Sequence, residues 1–246
     1  MVALEIFKSQ FLHLIKNFRE FFKIIFPLAL FAVLLELSFN TLIQNDKFVF
    51  WIILRIIYVF FLIRTVINIH RLIILKEAFN YYALNKRFKE TLLYICYAIL
   101  GFVVTFIVFI PFGALIKTLY TNSNSFYSYP IQFKIFSGIF FTISYVFLVL
   151  NFPMISTGKK IRFFKMIKLS KGFRLTLLLQ AIIFFIIGHA VSFITGFIFG
   201  FISVFFSQPL VTITLYIILT FFSFLIMAWS ISCLSKTYML WSKKKH

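Results

Sequence analysis

Apolar runs long enough to cross a bilayer alternate along this 246-residue chain with short basic or polar breaks. The runs are apolar throughout, without the two-residue alternation of barrel strands, and several reach the roughly 20 residues that a crossing helix needs. They predict an all-α, polytopic membrane bundle with six spans, at about 24–43, 48–69, 91–116, 135–155, 175–205 and 210–234. Ahead of the first span, residues 1–23 place Leu4, Phe7, Phe11, Leu14, Ile15, Phe18 and Phe22 at helical spacing, with Lys8, Lys16, Arg19 and Lys23 mostly off that stripe. This pattern predicts an amphipathic helix lying in the membrane interface, in preference to one packed under the bundle. Residues 236–246 read as a basic tail.

Composition agrees with the pattern. Hydrophobic residues make up 62% of the chain and charged residues 13%, with mean hydropathy +1.03, far from the soluble globular range. A net charge of +19 would point to nucleic acid in a soluble protein. Here the basic residues flank spans, so the expected partners are anionic lipid headgroups and nucleic acid is set aside. On the predicted topology, 20 of the 25 Lys and Arg residues fall on one side, three fall on the other, and Arg55 and Arg64 lie within spans. The positive-inside rule then places both termini in the cytoplasm. The largest single contribution is the segment 156–174, whose Lys159, Lys160, Arg162, Lys165, Lys168, Lys171 and Arg174 are candidates for headgroup contact.

The few polar residues inside the spans are the candidates for a role there, because burying them in lipid is costly. Glu36 and Arg55 each lie about seven residues from the turn joining spans 1 and 2. At 1.5 Å rise per residue, both sit roughly 10 Å below the surface. An ion pair fixing this hairpin is preferred to a substrate or proton site. Arg64 is close enough to the inner end to extend to the headgroups. Gln180 and the lone His189 lie in span 5, His189 being read as a packed hydrogen-bonding group rather than a proton carrier. Gly188, Ser192, Gly196 and Gly200 recur at four-residue steps. Such a face admits a close helix, either within the chain or from a second copy in a homo-oligomer. Cys96 and Cys233 lack metal or redox spacing, and no nucleotide-loop, zinc-protease, nucleophile-elbow or calcium-loop motif is present. No catalytic residue, cofactor or metal site is predicted. Two readings stay open: a non-catalytic protein that organises or maintains the envelope through lipid or protein contacts, and a small transporter or channel component using Glu36, Arg55, Gln180 and His189.

Lys16-Asn17-Phe18-Arg19, Lys86-Arg87-Phe88-Lys89 and Lys171-Gly172-Phe173-Arg174 each precede an outgoing helix. Three related two-helix hairpins would explain them; so would chance in a chain rich in Lys and Phe. In layout, and in Phe163-Phe164-Lys165-Met166-Ile167-Lys168-Leu169-Ser170-Lys171-Gly172, the chain resembles the YciC-like bacterial membrane proteins. These are related to the membrane domain found on some glycerophosphodiester phosphodiesterases. Met166 stands where a small hydroxyl residue is expected in that pattern. The resemblance implies six spans in the bacterial inner membrane and carries over no catalytic residue.

Overall fold

The computed structural model describes residues 2–38, 48–77, 87–119, 149–159, 170–202, 204–205 and 208–243. Among these, the regular structure is helical: α1 (Val2–Lys16), α2 (Phe18–Leu37), α3 (Phe48–Ile74), α4 (Phe88–Leu119), the single turn and a half α5 (Asn151–Ser156), a 3-10 turn (Ser170–Phe173), α6 (Arg174–Ile202) and α7 (Gln208–Lys243). Four helices are long and apolar enough to cross a membrane, over Phe48–Ile74, Phe88–Ile107, Arg174–Ile202 and Ile213–Lys243, and they mark a membrane protein. The expected spans at 24–43 and 135–155 do not join that set. Every 18-residue stretch of α2 carries at least three of Arg19, Glu20, Lys23 and Glu36, and residues 39–47 and 120–148 lie outside the described residues.

α7 is the hub of the bundle and packs against α1, α2, α3, α5 and α6. Its inward face is built from small residues, Ala228, Ser232 and Ser235, all fully buried, so neighbouring backbones approach closely. One apolar cluster joins α1, α2, α3 and α7 through Leu14, Phe21, Ile24, Ile25, Leu28, Ile69, Ala228 and Ile231. A second joins α5 and α6 to the last turns of α7 through Leu150, Phe173, Leu177, Tyr238 and Trp241. Residues 236–243, read from the sequence as part of a basic tail, continue α7, with Thr237 and Tyr238 buried.

Only part of the apolar stripe of α1 is buried. Ala3, Ile6, Gln10 and Leu14 turn inward, whereas Leu4, Phe11 and Ile15 remain exposed. α1 rests on α6 and α7, with Phe7 and Phe11 against Trp229, whose indole donates to the Phe7 carbonyl at 3.2 Å. Asn17 breaks the helix before α2 begins. Phe18 and Phe88 begin α2 and α4 and are exposed, whereas Phe173, just ahead of α6, is buried; Lys86 of the second Lys-x-Phe motif lies outside the described residues.

Candidate functional site

The ends of α3 and α7, the starts of α2, α4 and α6, and α5 meet at one end of the bundle, called the basic end below for its lysines and arginines. Here Lys76 takes up a left-handed backbone (φ 55°) and turns the chain back at the end of α3. A non-glycine residue adopts that region at a cost of about 1 kcal/mol, and the contacts it enables offset this. Glu77 is returned onto Arg71, which grips it with both sides of the guanidinium, Nε to Oε2 at 2.8 Å and Nη2 to Oε1 at 2.6 Å. The remaining arm of Arg71 donates to the Ser156 carbonyl at 2.8 Å. Arg87 donates to Glu77 Oε2 and to Asn68 Oδ1, each at 2.7 Å.

One carboxylate thus ties the end of α3 to the start of α4, and Arg71 ties both to α5. The tie reaches a well-formed helix end. Gly158 (φ 73°) and Lys159 donate back to the carbonyls of Ile155 and Met154, closing α5 in a Schellman turn. The Arg71 hydrogen bond holds the Glu77 carboxyl below the ordinary glutamate value, against a smaller opposing effect of burial, and the charges of Arg71 and Arg87 add to the lowering. Sequence reasoning did not single out Arg71, Glu77 or Arg87. The available signal was a glutamate six residues past an arginine in a connection rich in lysine and arginine.

Deeper in the bundle, polar side chains are paired across helices. His70 is fully buried, and its Nδ1 lies 2.7 Å from Ser235 Oγ, which donates to the Ile231 carbonyl. With the serine proton committed there, Nδ1 carries the hydrogen and donates to Ser235. Ser235→Ala is expected to lower stability by about 1–3 kcal/mol, because it strands this buried donor. Ser235→Thr is expected to cost less. The check is thermal unfolding in detergent, and equal effects of the two changes would count against the hydrogen bond. Nearby, the Gln180 amide donates to Thr237 Oγ1 at 3.0 Å beside a water-sized void of about 20 Å³. Asn151 Nδ2 donates to the Tyr97 hydroxyl.

The residues singled out from the sequence are dispersed. The Arg55 guanidinium donates to the Glu36 carboxylate and lies 4.7 Å from the centre of the Trp51 ring. Arg64 lies over Phe60. Gln180 is paired with Thr237 on α7. His189 is exposed, its Nδ1 2.9 Å from the Phe185 carbonyl of its own helix. No single site gathers Glu36, Arg55, Gln180 and His189. A Cβ added at Gly188, Gly196 or Gly200 would meet nothing within 4 Å among the described residues, and Ser192 is exposed. The close-packing face within the described bundle is the Ala228–Ser232–Ser235 stripe of α7 instead. Of the seven basic residues, Lys159 is exposed with its ammonium 5.8 Å from the Tyr238 ring centre, and Arg174 begins α6. Lys160, Arg162, Lys165 and Lys168 lie outside the described residues, as does the side chain of Lys171.

No known protein-family model, curated protein or solved structure matches this chain.

Proposed function

We propose that this is a non-catalytic, six-span protein of the bacterial inner membrane, with both termini cytoplasmic, that organises the envelope by holding anionic lipid headgroups and protein neighbours at its basic end. The observation that carries the reading is how its intramembrane polar residues are used. Glu36 is engaged with Arg55, His70 with Ser235 and Gln180 with Thr237. Groups committed to one another hold helices together; a transport path needs them to converge on one wet cavity. The charge count and the resemblance to the YciC-like proteins support the placement.

The test is the lipid and protein content of the full chain purified gently from its membrane. Anionic lipid is expected to be enriched several-fold over its share of the bulk membrane. Neutralising Lys159, Lys160, Arg162, Lys165, Lys168, Lys171 and Arg174 together is expected to reduce that enrichment, since each basic residue near an anionic surface contributes about 1 kcal/mol. No enrichment in the wild type would overturn the reading. So would reporter fusions that place 156–174 outside the cell, because the topology rests on that segment.

A further inference from the structure

A cavity of about 360 Å³ opens at the basic end between α1, the start of α2, the end of α3 and α7. That is room for a small headgroup, at the lower end of the range for ligand sites. Its polar lining is Gln10, His13, Asn17, Glu20, Lys76 and Lys236. Leu72 and Met239 supply apolar wall.

Three features set this cavity apart from a surface cleft. First, its charge is positive and uncommitted: neither Lys76 nor Lys236 has a carboxylate partner among the described residues, and Glu20 is bonded to Lys23 at 2.9 Å. The two lysines come from different helix ends, α3 and α7, so the fold brings them to one cavity from 160 residues apart in sequence. Second, Gln10 is 6% exposed, and its side-chain oxygen is buried without a hydrogen-bond donor. A buried acceptor left unpaired is costly, and a ligand hydroxyl would satisfy it once the amide turns toward the cavity. Third, His13 is held below its ordinary value by burial and then by the charge of Lys236, so it leaves the two ammonium groups as the charges facing the cavity beside Glu20.

We infer that this cavity binds one phosphate-ester anion that carries a free hydroxyl, with Lys76 and Lys236 on the phosphate and Gln10 accepting from the hydroxyl. The anion is either the headgroup of a lipid or a soluble phosphate ester. The inference rests on reading this end as the one that meets anionic headgroups, and it adds a single saturable site to that general attraction. Basic pockets between helix ends are where anionic headgroups bind most specifically.

The experiment is native mass spectrometry of the full chain released from detergent, after titration with phosphatidylglycerol, phosphatidic acid or phosphatidylcholine. One phosphatidylglycerol per chain is expected to be retained. Phosphatidic acid, anionic but without a headgroup alcohol, is expected to bind about tenfold more weakly, and phosphatidylcholine is expected not to be retained. The K76Q/K236Q double variant is expected to lose the one-to-one species, whereas Lys8→Gln, on the exposed side of α1, is expected to keep it. Circular dichroism establishes that the double variant folds; if it does not, Lys236→Arg against Lys236→Gln makes the same comparison on single changes. Competition with glycerol phosphate separates the sources: displacement of the lipid assigns the site to a soluble ester, and resistance assigns it to the headgroup.

Retention of phosphatidylglycerol by the double variant, or equal retention of all three lipids, would overturn the site. If anionic lipid is still enriched in the surrounding shell of that variant, the general reading survives the loss of the site. If the wild type enriches none, both fall.

Discussion

Glu77→Gln is expected to lower the thermal midpoint of the detergent-solubilised protein by about 2–8 °C, equivalent to about 1–2 kcal/mol for a chain of this size. The substitution keeps the shape of the side chain and removes its charge. Arg71 and Arg87 are then left facing each other without the carboxylate that joins them. Hydrogen bonds to charged groups contribute about 1.5–3 kcal/mol, and the loss here is smaller because the Glu77 side chain is 35% exposed and solvent screens it. Arg71→Lys is expected to cost more than Arg87→Lys, because Arg71 supplies two arms to Glu77 and a third to the Ser156 carbonyl.

The same cluster gives a pH dependence of known sign. The Glu77 carboxyl is held below its ordinary value of 4.5 when folded, chiefly by the Arg71 hydrogen bond. Its contribution is therefore complete above that value and is lost as pH falls through the lower, folded value. Melting curves taken from pH 6 downward are expected to fall more steeply for the wild type than for Glu77→Gln. Parallel curves would mean that the carboxylate does not stabilise the fold.

The helical class was legible because a continuous apolar run leaves the backbone no other way to satisfy itself in lipid. The meeting of Glu36 and Arg55 was legible as well, from their similar distance to the polar turn expected between the two helices. The helices depart from that expectation: α2 ends at Leu37, so Glu36 stands in its last turn while Arg55 is two turns into α3, and residues 39–47 lie outside the described residues. What sequence could not rank was one polar residue against another where the partner is remote. His70 reads as the first residue of the basic connection after the span at 48–69, and His189 as a lone polar residue within an apolar run, yet His70 meets Ser235, 165 residues away, and His189 turns outward to its own helix. The useful sign lay on the partner. Ala228, Ser232 and Ser235 line one face of an otherwise apolar helix, which marks where other helices approach. The glycine stripe of α6 drew attention because glycine is conspicuous, but small residues permit close packing without requiring it. The Glu77 cluster was hidden differently: its geometry needs the left-handed turn at Lys76 and the arrival of α4 and α5, neither visible in local spacing.

Glu36→Gln is expected to be the most damaging single change in the α2–α3 hairpin, destabilising the protein by up to about 3 kcal/mol, the cost of an uncompensated arginine inside a span. Arg55→Gln is expected to cost less. A carboxylate that has lost its cation escapes the penalty by taking up a proton, which a guanidinium, charged at every accessible pH, has no means of matching by losing one. Arg55 can recover part of the loss by reaching toward the nearby surface, so the full figure is an upper bound. The exchange E36R/R55E restores opposite charges at the same depth and is expected to recover most of the stability lost in either single variant. Recovery should stop short of the wild type by about 0.5–1 kcal/mol, because the exchange removes the guanidinium from the Trp51 ring. Thermal unfolding of the four proteins in one detergent decides the matter. Single variants that melt with the wild type would show that the pair does not hold the hairpin, and an exchange no better than the worse single variant would show that something other than the pairing of charges holds the two helices in place.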